Sequence, residues 1–221
     1  MLRTFEPKLE VLPEPQRQIW RSLEPAGDLN FVLYGGTAVA LHLGHRISID
    51  FDFFRSQPLD KSELAEAFPL IKDAAIIQED KNTLVFNSGV PSGRVKLSFF
   101  GGLGLGRINP PLKTTDAVLL VASPEDLLAT KLKAILDRAE AKDYRDIAAL
   151  LSSGVSLRRA LGGFSKMFGR DPGLPLRAIG FFKDGDLASV PEGDRQVLRA
   201  ARDTIVEIPD VPVVFGSLAA G

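Results

Sequence analysis

At 221 residues, the chain is about one and a half typical domains long and can bury a real core. Its 45% hydrophobic and 25% charged residues are those of an ordinary folded chain and exclude collagen-like or largely disordered classes. Lys+Arg 27 against Asp+Glu 28 leave a net charge of −1, so no global attraction to nucleic acid or acidic membrane follows, and the absence of cysteine removes disulfides, thiolate catalysis and Cys-based zinc sites.

The opening stretch carries Glu6, Pro7 and Glu10 where a signal peptide needs an apolar core, and nothing approaches a membrane span, which makes the cytoplasm the expected location. Gln16, Ile19, Trp20 and Leu23 recur at helical spacing between Pro13 and Pro25, predicting a short amphipathic helix before a turn at Gly27 and Asp28. Asn30–Tyr34 reads as a buried strand that stops at Gly35 and Gly36, and Thr37–Leu43 has helix-forming character up to Gly44. Ile47–Phe54 alternates, which predicts Ile47, Ile49, Phe51 and Phe53 on an apolar face and Ser48, Asp50 and Asp52 on a polar one. A helix over Lys61–Phe68 and strands over Ala74–Glu79, Thr83–Asn87 and Val95–Phe100 follow. From Pro124 the pattern turns helical, with Leu127, Leu128, Leu132, Ile135 and Leu136 forming one stripe and Ile147, Leu150 and Leu151 continuing it on a second helix. The expected class is α+β, with a sheet-bearing region over 1–120 and a mainly helical region over 121–221.

The chemistry-bearing pattern is Gly35-Gly36-Thr37 followed thirteen residues later by Asp50-Phe51-Asp52. Carboxylates at i and i+2 of a strand point the same way about 7 Å apart, near enough to hold Mg²⁺. Like charges side by side call for a metal or a basic partner, and Arg46 is a candidate neutraliser. A Gly-Gly turn lets backbone approach a ligand closely, the helix after it offers N–H groups to phosphate, and Thr37 can add a hydroxyl. Neither part is specific alone; their order of strand, turn, helix and acidic strand describes a site for a nucleoside triphosphate with Mg²⁺. His42 and His45 are separated by Gly44 and lack a second ligand pair, which argues against zinc. Gly102, Gly104 and Gly106 imitate part of a dinucleotide fingerprint, but no helix pattern follows them, so a loop is expected.

Residues 31–54, FVLYGGTAVALHLGHRISIDFDFF, resemble a signature of the AbiEii/AbiGii toxin family of nucleotidyltransferase-fold proteins. Residues 130–150, TKLKAILDRAEAKDYRDIAAL, resemble that family's second signature, and the likeness spans about residues 10–152. The resemblance implies a nucleotidyltransferase-like mixed sheet flanked by helices, with Gly36 and Thr37 in the phosphate-binding turn and Asp50 and Asp52 as metal ligands. It further implies Lys131 as a triphosphate contact and a polar site completed by Asp143 with Lys142 and Asp146, Arg138 lying along the helix of Lys131. The spacing of seven between Lys131 and Arg138 places both on one helix face; the alternative for these residues is ordinary surface ion pairing.

By resemblance, the chain is expected to be the toxin of a toxin–antitoxin pair, with a cognate antitoxin partner and an RNA acceptor such as tRNA, the alternatives being an inactive nucleotide-binding module of the same fold or a transferase acting on a small molecule or protein. Many nucleotidyltransferases carry a third carboxylate on a neighbouring strand, where this sequence offers Ser98, which cannot act as a base. Asp143 or Asp146 could supply the acid, the chemistry could do without one, or the protein could bind nucleotide without turnover. Between Val155 and Lys183 the chain carries Arg158, Arg159, Lys166, Arg170, Arg177 and Lys183 against Asp171. That excess is either a solvated face balanced by acids elsewhere or a surface for a polyanionic acceptor.

Overall fold

Short apolar runs punctuated by glycine, proline and asparagine set the element lengths. In the computed structural model, which describes residues 2–219, the order is β1 (Thr4–Phe5), α1 (Glu14–Ile19), α2 (Pro25–Asp28), β2 (Val32–Tyr34), α3 (Gly35–Leu43), β3 (Asp50–Phe54), α4 (Lys61–Ala67), β4 (Ala75–Asp80), β5 (Thr83–Val90), β6 (Gly93–Phe100), β7 (Leu112–Thr114) and β8 (Leu120–Val121). The helices α5 (Pro124–Asp137), α6 (Ala141–Ser152), α7 (Leu157–Phe168), α8 (Gly173–Ala178) and α9 (Glu192–Asp203) follow. The chain divides into two compact units, one of residues 1–106, 110–122 and 215–221, the other of 107–109 and 123–214.

The first unit holds an eight-stranded mixed sheet in the order β1-β7-β8-β2-β3-β6-β5-β4. Adjacent β3 and β6 run parallel, whereas β2 pairs antiparallel with β3 and β5 with β6. Alternation places Phe51, Phe53, Leu97 and Phe99 on one face, where Phe53 stacks on Phe99 at 4.9 Å and Phe31 and Phe68 each meet the Phe99 ring at 5.1 Å. Burying this many aromatic rings is the main stabilising contribution here, at about 1.5–3 kcal/mol for each fully buried large side chain. It also fixes register, because a one-residue slip of β3 would drive its carboxylates into the core.

Two local expectations need correction. The predicted opening helix breaks into α1, a 3-10 turn over Trp20–Leu23 and α2, because Pro25 starts a new helical turn; Gly27 and Asp28 belong to α2. Ile47 and Ile49 do not join the apolar face of Phe51 and Phe53: they are 67% and 56% exposed, and Ser48 is buried instead. The strand begins only at Asp50, and the preceding residues form a loop whose inward side chain is the one that can hydrogen-bond.

In the second unit, Ser123 caps α5, its hydroxyl accepting from the Asp126 N–H at 3.2 Å, and Pro124 takes the first helical position. Ser156 similarly caps α7. The apolar stripe of α5 (Leu127, Leu128, Leu132, Ile135) and the buried side of α6 (Tyr144, Ile147, Leu150) supply its core. Among the described residues, no helix is long and apolar enough to cross a membrane.

Candidate active site

The acidic strand is positioned by its neighbours on both sides. Tyr34, the last residue of β2, lies in register with Asp52, and the chain then turns through Gly35 at φ +75° into α3. A Cβ at Gly35 would stand 2.6 Å from Asp52 Oδ2, so both the left-handed backbone and the close approach require glycine. At Gly36 a Cβ would collide with the Arg46 guanidinium, which itself donates to the Ile47 carbonyl at 3.0 Å. The turn, Arg46 and the loop that leads into the acidic strand therefore form one packed arrangement.

Thr37 departs from its expected geometry. Its side chain is 1% exposed, and its hydroxyl donates to the Asp50 carbonyl while accepting from Ser48 Oγ at 2.9 Å. With its single proton committed to a carbonyl, Thr37 locks the entry into β3 rather than offering a donor to a ligand. Gln16 adds a second lock, donating from Nε2 to the Ile49 carbonyl at 2.7 Å.

Parallel pairing of β3 with β6 sets Asp50 opposite Lys96 and Asp52 opposite Ser98, so all four share a face. Asp50 is 40% exposed, with Lys96 Nζ at 3.9 Å from its Oδ2, and Ser98 is 2% exposed. Among the described residues, no group of three or more His, Asp or Glu side chains is placed to hold a metal ion. A pair of half-exposed carboxylates nonetheless suits Mg²⁺, which is bound through one or two carboxylates and takes its other ligands from phosphate and water. His42 is used otherwise: its ring stacks on Phe5 at 4.0 Å and Nε2 donates to the Ala122 carbonyl at 3.0 Å. Burial pushes the imidazole down to about 4, and the Ala122 hydrogen bond only partly opposes this.

The second unit holds the other predicted residues, in a different state. Lys131 on α5 reaches Asp143 Oδ1 and Asp146 Oδ2 on α6, both at 2.7 Å, and Arg138 Nε meets Asp143 Oδ2 at 2.8 Å. Asp143 and Asp146 are 0% exposed and Lys131 is 5% exposed, so these are not ordinary surface pairs. Burial alone would raise the Asp143 carboxyl, but the Arg138 hydrogen bond and the Lys131 charge outweigh it and hold it below the usual range. Arg138 does not continue the helix: α5 ends at Asp137, and Arg138 is extended at φ −153°, ψ 146°. It reaches the same carboxylate from the cap, so the convergence expected from helical spacing is achieved by a bend. Lys142 is exposed and pairs with Glu140 at 2.7 Å.

Of the basic run, Arg158 bonds the Glu207 carbonyl at 2.9 Å, Arg159 pairs with Glu125 at 2.9 Å and Lys166 with Asp210 at 2.7 Å. Arg170, Arg177 and Lys183 are exposed, and no ion-pair partner accompanies them among the described residues. Sequence reasoning missed Lys96 and the two locks from Gln16 and Ser48. The signal for Lys96 was its parity with Ser98 on one strand, which becomes meaningful only when that strand is known to pair with β3. The glycine-rich run after β6 is a loop, as expected: Gly102 N–H donates to Gln57 O at 2.7 Å and no helix follows.

A mixed sheet carrying a Gly-Gly turn, a helix and a neighbouring acid pair defines an α+β protein of the nucleotidyltransferase-like class. The chain belongs to the nucleotidyl transferase AbiEii toxin family of type IV toxin–antitoxin systems, whose model matches residues 18–213. The match runs well past residue 152, where the resemblance in the sequence faded, and takes in α7, α8 and α9. An uncharacterized protein of Aquifex aeolicus is 31% identical over 146 residues, covering 65% of this chain and 68% of that protein.

Proposed function

We infer that this chain is a Mg²⁺-dependent nucleotidyltransferase and the toxin half of a cytoplasmic toxin–antitoxin pair. It moves a nucleoside monophosphate from a triphosphate onto a hydroxyl of RNA, a tRNA end being the acceptor best suited to a toxin of this family. The observation that carries the reading is the half-exposed Asp50 and Asp52 beside the Gly35-Gly36 turn. Asp50 and Asp52 would hold the ion. Gly35 and Gly36 bring backbone N–H groups and the positive end of α3 toward phosphate, with Arg46 as a nearby cation. The acceptor oxygen forms a bond to the α-phosphorus, the bond from that phosphorus to the bridging oxygen breaks, and pyrophosphate leaves with the electron pair; the hydroxyl proton goes to solvent. Bound Mg²⁺ would supply charge stabilisation on the phosphoryl oxygens.

Lys131, Asp143, Asp146 and Arg138 serve this reading by positioning: they brace α5 against α6, and the two buried carboxylates are committed to cations. Arg170, with Arg177 and Lys183, remains the acceptor contact of the basic run, since Arg158, Arg159 and Lys166 are paired. A second reading, a nucleotide-binding module without turnover, is favoured by Ser98 standing opposite Asp52 where a third carboxylate would lie.

The test is transfer of α-labelled nucleotide from each of the four triphosphates to total cellular RNA, for wild type and Asp50→Asn/Asp52→Asn. Label in RNA with the wild type alone supports the transferase; bound triphosphate with no label above the double variant removes the RNA acceptor and leaves a small-molecule or protein acceptor or the binding module.

A further inference from the structure

The strand beside the acid pair carries a charge that the proposed chemistry leaves unused. Two divalent ions set about 3.5–4 Å apart would bring four positive charges to a face that offers two carboxylates. On β6, the position in register with Asp52 holds the neutral, buried Ser98, and the position in register with Asp50 holds Lys96. Lys96 Nζ lies 3.9 Å from Asp50 Oδ2, with the two side chains 41% and 40% exposed, and it is the sole ion-pair partner of Asp50 among the described residues. An ammonium at the β6 flank of Asp50 repels a divalent ion there. It is also a mobile point charge of the kind that binds phosphate oxygens without fixed geometry.

We propose that Lys96 stands in part for a second metal ion, so that the acid pair binds a single divalent cation and the Lys96 ammonium supplies one further positive charge beside it. This rests on reading Asp50 and Asp52 as metal ligands. Lys96 then acts as a positioning residue: it shields Asp50 while the ion is absent and sits beside the ion once bound. Because the pair is exposed to solvent, its influence on ion affinity is modest, about three- to tenfold.

Titration of the full chain with Mn²⁺, followed by electron paramagnetic resonance of the unbound ion, reads both stoichiometry and affinity without requiring turnover. The wild type is expected to bind one Mn²⁺; Lys96→Met binds it about three- to tenfold more tightly, and Lys96→Arg, which keeps the charge, stays near the wild type. The Lys96→Met gain shrinks as added salt screens the exposed ammonium, an outcome that a merely structural lysine would not produce. Two ions in the wild type, or equal affinity in wild type and Lys96→Met, overturns the proposal and leaves the metal-site reading standing. Absence of Mn²⁺ binding in wild type and Lys96→Met alike overturns both.

Discussion

Asp50 and Asp52 in the first unit and Asp143 and Asp146 in the second are both carboxylate pairs close in sequence, yet their surroundings are opposite. The first pair is partly exposed at the end of a glycine turn, and Asp50 meets a cation only at 3.9 Å. The second is fully buried, with Lys131 at 2.7 Å from both carboxylates and Arg138 at 2.8 Å from one, Arg138 also meeting Glu140 at 3.6 Å, so each buried anion has a cation against it. An exposed pair can exchange water for an incoming ion at little cost. A buried, paired cluster cannot surrender a partner without stranding a charge in low dielectric. Sequence spacing does not separate these roles; burial and charge balance do.

The sharpest break of this contrast is Lys131→Met, which removes the cation common to both buried carboxylates and is expected to cost about 3–5 kcal/mol in urea unfolding. A loss below about 1 kcal/mol would contradict the brace and return Lys131 to a ligand-facing role.

Next comes the pH dependence. His42 is held at about 4 against an ordinary 6.5, so the unfolded chain binds the proton first as pH falls. Its contribution is complete above 6.5 and lost between 6.5 and about 4, at most about 3 kcal/mol. Asp143 is shifted the other way: held below its ordinary 3.8, it stabilises the fold above that value and loses its contribution in stronger acid. The buried Asp126 carboxyl, pushed up to about 6 by desolvation, acts in the opposite sense, taking up its proton first in the folded chain and adding stability as pH falls below about 6. Urea midpoints between pH 7 and 4.5 should therefore change little in the wild type and rise toward acid in His42→Gln, the Asp143 carboxyl being silent over that window; midpoints that stay level in His42→Gln would contradict this balance.

Gly35→Ala forces a side chain into left-handed backbone and onto the Asp52 carboxylate. The expected loss is about 1–2 kcal/mol in thermal unfolding, accompanied by weakened Mn²⁺ binding. Smallest in stability is Asp52→Asn, under about 1 kcal/mol by urea unfolding because the group is half exposed. The same variant should abolish nucleotide transfer, so retained transfer would remove Asp52 from the site.

The sequence by itself determined the strand, turn and helix from Val32 to Leu43, the hairpin strands β5 and β6, and the start of α5 at its Ser-Pro cap. Each rests on chemistry within a few residues: a glycine that permits positive φ, a serine that caps, an alternation that buries one face. The two signatures carried the family and the candidate residues for the same reason, since their spacing is local. Tertiary structure alone decided what those residues do. Ser48 turned inward, and the two isoleucines beside it outward, because Thr37 and Ser48 close a hydrogen bond across eleven residues. Lys96 entered the site through pairing between strands separated by a helix and a hairpin. Asp143 became a buried anchor through a lysine twelve residues away on another helix. Exposure and charge balance arise from contacts distant in sequence, so no local pattern could have told the half-exposed carboxylates from the buried, cation-paired ones.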